Sequence, residues 1–128
     1  MKPAPQTRVT SIQQRLADAR RDLNRVKPAE LSEILDAGAI LIDIRPDSFH
    51  REEGVHPQAL IIERNVLEWR LDPNSEARIG DIEADTPIII MCNEGYASSL
   101  AAADLQKMGF TAVTDLVGGY RAWRAAQE

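Results

Sequence analysis

Apolar residues along this chain follow two rhythms. In residues 10–26, TSIQQRLADARRDLNRV, the residues Ile12, Leu16, Ala19 and Leu23 recur at helical spacing, and Thr10 with Gln13 has the separation of a capping box. This predicts an amphipathic helix over 10–23. Its opposite face, rich in Arg and Asp, either is simply solvated or meets a partner. Pro28 suits the first turn of a second helix, with Leu31, Ile34 and Leu35 as its stripe and Gly38 as its stop. The rhythm then changes to continuous short runs: AILIDI at 39–44, ALII at 59–62 and IIIM at 88–91, the lengths and compositions of buried strands.

Between the first two runs, DSFHREEGVHPQ is polar and broken by Gly54 and Pro57, so it reads as a connection. Residues 63–87 form a second, longer connection with local turn or helix near 66–71, a length expected of a functional or covering loop. Residues 98–108 predict a helix with Ala101, Leu105 and Met108 inward, closed by Gly109. Residues 111–116 predict a last strand with Val113 and Leu116 available for burial. Gly118-Gly119 then turns tightly into a final helix, where Trp123 is placed to cover the sheet edge, and Trp69 reads as core or cover. Strands alternating with helices predict an α/β domain around a mostly parallel sheet.

Composition narrows the function classes. The 128 residues suit one domain, with 44% hydrophobic and 27% charged residues, as in ordinary globular chains. Fifteen Lys and Arg against twenty Asp and Glu give a net charge of -5, which argues against nucleic acid or an anionic membrane as partner. No apolar run approaches the roughly 18 residues of a membrane span. One cysteine forms no internal disulfide and the first residues lack a secretory h-region, so a reducing, cytoplasmic setting is expected.

That cysteine, Cys92, follows the most apolar run and precedes Asn93-Glu94-Gly95-Tyr96-Ala97 and a helix start at Ser98. In an open parallel sheet, ligands bind beyond the carboxyl ends of the strands, where loops meet helix N-termini. Backbone N–H groups of such a loop, with Gly95 able to take positive φ, and the positive end of the following helix favour an anion there. A thiol so placed gains thiolate character and becomes a nucleophile. A buried cysteine acting as a small hydrophobe is the alternative, although it needs no such loop.

Four separated stretches, LIDIRP, EEGVHPQAL, IIIMCNEGYASSLAAADLQKMGF and VGGYRAW, occur in the order and spacing of the rhodanese domain, and the chain resembles that family over residues 24–128. The resemblance implies a single rhodanese-like domain with a central, mostly parallel five-stranded sheet flanked by helices, and leaves 1–23 as an N-terminal helical extension. It implies a sulfurtransferase that carries sulfane sulfur as a persulfide on Cys92, with Asn93, Glu94, Gly95, Tyr96 and Ala97 as the active-site loop, Asp43 and Arg45 as an Asp-x-Arg motif, and Gly118, Gly119 and Trp123 as the closing motif. The partners it implies are a small-molecule sulfur donor, thiosulfate or a thiol persulfide, and a thiol or cyanide acceptor, with a sulfur-relay protein as a further possibility; no metal or organic cofactor is required. The loop, with Ser98 at its end, is similar to that of stand-alone members carrying Cys-x-Glu-Gly-Tyr. Ala97 stands where a typical member has a basic residue, and Gly54-Val55-His56 where many have Gly-His. Losing a bidentate guanidinium at the loop end weakens the case for thiosulfate as donor.

Several residues keep two readings. Tyr96 either roofs the cysteine or is a surface aromatic, and Arg45 suits an internal ion pair better than a substrate contact. Arg64 and Arg70 either supply the cation missing at Ala97 or are solvated. His50 and His56 reach the site only if their connection folds over it. Two further functions compete with sulfur transfer. A cysteine phosphatase or arsenate reductase on this scaffold needs a loop arginine that neither Ala97 nor Ser98 provides. A non-catalytic binding module would use the loop or the first helix to hold a partner.

Overall fold

The computed structural model describes residues 9–127. Within them the order is α1 (Ile12–Arg20), α2 (Pro28–Asp36), β1 (Ile40–Asp43), α3 (Asp47–Glu53), β2 (Leu60–Ile61), α4 (Leu67–Leu71), β3 (Ile88–Met91), α5 (Ala97–Lys107), β4 (Val113–Asp115) and α6 (Gly119–Ala126), with a 3-10 turn at Arg64–Val66. The strands form one sheet in the order β2-β1-β3-β4, and every pair is parallel. Parallel neighbours require crossovers, which the helices supply.

The sheet has four strands among the described residues, not the five expected. The main chain ahead of α2 pairs with the β4 edge through a lone bridge, Val26 to Leu116, with Val26 N–H donating to Asp115 O at 2.9 Å. Pairing stops there for a local reason. Lys27 N–H is taken by the Glu30 carboxylate at 2.9 Å, and Pro28 has no N–H to offer, so the chain turns into α2 instead of extending the ladder.

β3 is buried along its whole length because each face is covered by a helical layer. Ile88, Ile90 and Cys92 pack with Ala101, Ala102 and Leu105 of α5, whereas Ile89 and Met91 pack with Leu31 and Leu35 of α2 and Tyr120 of α6. Full burial of each large apolar side chain stabilises the fold by about 1.5–3 kcal/mol. The strict alternation also decides where the cysteine goes: one residue past β3, it inherits the α5 face.

Several elements differ from expectation. The polar stretch after β1 is a helix, α3, opened by Pro46 with Asp47 in its first turn and stopped by Gly54 at φ +96°. It buries no residue completely, so it lacks the apolar stripe by which helices are read. β2 is a two-residue edge strand with Leu60 and Ile61 half exposed, and Ile62 is the residue that enters the core. α1 is capped by Ser11, whose Oγ accepts the Gln14 N–H at 3.1 Å, not by Thr10, and it ends at Arg20. Ile12 lies outside the core, while Leu23, beyond the helix, is inside it. Met108 is exposed, whereas Phe110, two residues on, is in the core; Trp69 is exposed as well. The connection after α4 lays Ile79 and Ile82 against the core and so acts as a cover. Among the described residues, no helix is long and apolar enough to cross a membrane.

Candidate active site

Cys92 is 7% exposed, and its surroundings differ from those of a packing cysteine. Its Sγ receives the N–H of Gly95 at 3.1 Å and the N–H of Ser98 at 3.3 Å, while the thiol itself donates to Ser98 Oγ at 3.3 Å; ionisation removes that S–H proton and leaves the two N–H groups. Ser98 belongs to the first turn of the eleven-residue α5, so the positive end of that helix faces the sulfur. These are the donors that an anionic sulfur uses.

The loop's shape is set by main-chain contacts with α6. Tyr120 N–H donates to Cys92 O at 2.8 Å, and Arg121 N–H donates to Asn93 O at 3.1 Å. So close an approach requires missing side chains. A Cβ on Gly119 would lie 2.5 Å from Cys92 O, and one on Gly95, at φ +88°, would lie 2.6 Å from Gly118 N. The Gly-Gly pair is therefore the floor on which the cysteine loop rests as well as a turn into α6.

In front of Cys92 lies a cavity of about 550 Å³, lined by Ile44, Pro46 and Phe49, by Glu63, Arg64 and Asn65, and by Asn93, Glu94, Tyr96 and Ala97 of the loop. The sequence-derived loop residues thus come together at one place, with Gly95 buried beneath them. Tyr96 is 60% exposed and forms part of the wall, with the Arg20 guanidinium 5.7 Å from its ring centre. Arg64 does border the cavity, but its guanidinium is engaged by Glu68 at 2.8 Å and Asp104 at 2.9 Å. Arg70 instead donates to Ala77 O at 2.8 Å. His50 lies 3.2 Å from Asp43 Oδ2 and His56 packs at a tilt against Trp123, ring centres 4.3 Å apart; neither borders the cavity. Burial pushes the His56 pKa below the ordinary value.

Arg45 is buried. It pairs with Asp43 through Nη2 at 2.7 Å, donates to Gly54 O at 2.9 Å and to Asn93 Oδ1 at 3.3 Å, and lies 4.0 Å above the Tyr120 ring. It ties the end of β1 to α3 and to the loop. Glu53 completes this shell by accepting from Asn93 Nδ2 and Arg121, and the Arg121 guanidinium beside it holds its carboxyl below the usual carboxylate range. Among the described residues, no cluster of three His, Cys, Asp or Glu is placed to hold a metal ion.

Residues 27–126 match the rhodanese-like domain family. The chain belongs to that family. Its curated relatives include the thiosulfate sulfurtransferase GlpE of Stutzerimonas stutzeri, 33% identical over 108 residues, and that of Ectopseudomonas mendocina, 31% identical over 105. The aligned regions cover 80% and 81% of this chain and 86% and 87% of the two relatives. Among solved structures, a Rhodopseudomonas palustris protein described as of unknown function and a possible tyrosine phosphatase superposes with a TM-score of 0.85 at 28% identity, covering 98% of this chain and 97% of that one. The human single-domain sulfurtransferase TSTD1 gives 0.66 at 25% identity, covering 81% and 97%.

This rhodanese-like domain also contains supporting residues that the sequence reading missed. Asp115, fully buried at the end of β4, accepts from Ser98 Oγ at 2.7 Å, from Ser99 Oγ at 2.8 Å and from Arg25 through Nε at 2.9 Å and Nη2 at 3.1 Å. The Gly95 carbonyl, turned away from the sulfur, accepts from Arg20 at 2.8 Å and Arg25 at 2.9 Å. The clue available in sequence was a carboxylate at the end of an apolar strand, the position that Asp43 occupies on β1. Arg20 and Arg25 carried no such clue: Arg20 sits among other charges of a helical face, and Arg25 lies in the segment that follows α1.

Proposed function

We propose that the chain is a sulfurtransferase moving sulfane sulfur from thiosulfate or a thiol persulfide to a nucleophilic acceptor through a persulfide on Cys92. The observation that carries this reading is the placement of Cys92 Sγ between two N–H donors and an open cavity. The relatives named thiosulfate sulfurtransferase support the same class of reaction.

In the first step the Cys92 thiolate attacks the outer sulfur of the donor. The donor S–S bond breaks and its electron pair leaves with sulfite or with a thiolate. The transferred sulfur remains on Cys92 beside the loop Asn93 to Ala97, where N–H groups and the α5 terminus stabilise its charge. In the second step cyanide, a thiol or a cysteine of a sulfur-relay protein attacks that sulfur, and the Cys92 thiolate departs. Neither step calls on a metal or an organic cofactor. Asn93, Glu94, Gly95, Tyr96, Ala97 and Ser98 form the donor site, with Arg64 at its margin.

Residues 24–128 carry the activity, and the extension 1–23 contributes support through Arg20. A reducing compartment such as the cytoplasm keeps the thiol available. Phosphatase chemistry, named as possible for one structural neighbour, is disfavoured because the segment from Cys92 to Ser98 contains no cation to bind a tetrahedral oxyanion.

The test is the intact mass of reduced protein after exposure to thiosulfate or to a thiol persulfide, beside Cys92→Ser. A gain of one sulfur atom that requires Cys92 and is reversed by cyanide supports the proposal. No gain from either donor, in folded protein, turns the reading to a binding module.

A further inference from the structure

The cavity in front of Cys92 is built for a donor other than a small dianion. Its volume of about 550 Å³ is in the range of organic-ligand sites and many times the roughly 30 Å³ share of one water molecule. A compact inorganic ion would leave most of it unfilled. Ile44, Pro46, Phe49 and Tyr96 provide apolar surface for an organic group.

Charge points the same way. The two arginines on its lining, Arg45 and Arg64, are already engaged by Asp43 and by Glu68 with Asp104. Glu63 and Glu94 are exposed at the same cavity, and the partner of Glu94, Arg121, is shared with Glu53. A thiosulfate dianion would meet two carboxylates without an uncommitted guanidinium to offset them. The main-chain donors, by contrast, are concentrated at the sulfur itself.

We infer that the preferred donor is a thiol persulfide, R–S–SH, whose organic group R is apolar and uncharged and packs on Phe49 and Tyr96. This rests on the sulfurtransferase reading above. The Cys92 thiolate attacks the outer sulfur with its own electron pair while the donor S–S bond breaks. R–S⁻ leaves with the electron pair of the broken S–S bond and takes a proton from solvent, and Cys92 is left as Cys–S–SH. No oxidant or reductant is consumed.

The experiment compares benzyl persulfide released in situ, glutathione persulfide and thiosulfate as donors to the reduced protein. Sulfur gain is followed by intact mass, and each rate is divided by that of the same donor with free N-acetylcysteine to remove intrinsic reactivity. The normalised rate for benzyl persulfide should exceed both others by about tenfold or more, the discrimination one large apolar contact provides. Tyr96→Ala, at an exposed position, and Phe49→Ala should each lower the benzyl persulfide rate more than the thiosulfate rate, and so reduce that advantage by several-fold. Equal or faster loading by thiosulfate or glutathione persulfide would overturn the donor class and leave sulfur transfer standing. A benzyl preference untouched in folded Tyr96→Ala and Phe49→Ala would overturn the assignment of these walls. Absence of loading by all three donors would overturn the sulfurtransferase reading as well.

Discussion

Arg25 and Asp115 form a two-point ion pair behind the cysteine loop, with Nε and Nη2 at 2.9 and 3.1 Å from the two carboxylate oxygens. The same Nη2 also reaches Gly95 O, so a residue 67 positions upstream of the cysteine helps to fix the loop that surrounds it.

Removing Asp115 leaves Arg25, Ser98 and Ser99 without their shared acceptor in a buried setting. Asp115→Ala should destabilise the chain by about 3 kcal/mol or more, as expected when one partner of a buried pair is deleted. Asp115→Asn, which keeps an acceptor oxygen, should lose less. Urea unfolding midpoints with unchanged slopes would check this; equal stability of all three proteins would contradict it.

Gly95→Ala forces a side chain into the left-handed region and against Gly118 N. The expected cost is at least about 2 kcal/mol. Because the Gly95 N–H is one of the sulfur's donors, persulfide formation should also fall. Unfolding curves and sulfur loading, measured on the same preparation, separate the two effects.

Ala97 is exposed and lines the cavity, so an arginine there has room to reach an anion. Ala97→Arg should raise the rate of thiosulfate loading by about tenfold through a charge-assisted, two-point contact, while stability changes by less than about 0.5 kcal/mol. An unchanged thiosulfate rate would mean that the missing loop cation is not what limits this donor.

His56 is held in its neutral form by burial, with its Nδ1 accepting the Gln58 N–H at 3.0 Å. Its folded pKa lies below the ordinary 6.5, so the unfolded chain binds the proton more readily. Its contribution is therefore fully present above that ordinary value and is lost as pH falls toward the folded value. Urea midpoints of wild type and His56→Gln, compared at about pH 7.5 and about pH 5, should show the larger acid loss in wild type. Parallel losses would remove His56 as the cause.

The sheet's centre was legible in sequence because β1 and β3 are continuous apolar runs whose burial on both faces leaves no ambiguity of side. The candidate site's place in the fold was legible for the same reason: Cys92 follows the clearest strand, and only a loop rich in small and polar residues separates it from α5. α3 was hidden, since a surface helix with Phe49 as its one large apolar residue has no stripe to detect. A fifth strand came only from the family resemblance; the segment that touches the β4 edge, at Val26, is drawn into capping α2 at Lys27 and Pro28. Arg20 and Arg25 were invisible as site residues, because their roles depend on a tertiary contact between α1, its following segment and Gly95.

The way α6 holds Cys92 O and Asn93 O has a consequence for how such a site can diversify. The loop's position is written in its main chain, in two glycines and in the arginines that grip it from outside, whereas the side chains at 94, 96 and 97 add only exposed contacts, Glu94 to Arg121 and Tyr96 to Arg20. These three side chains are exposed, so new donor preferences can be installed there with the main-chain grip intact, much as a tool holder accepts different bits while its hold stays the same.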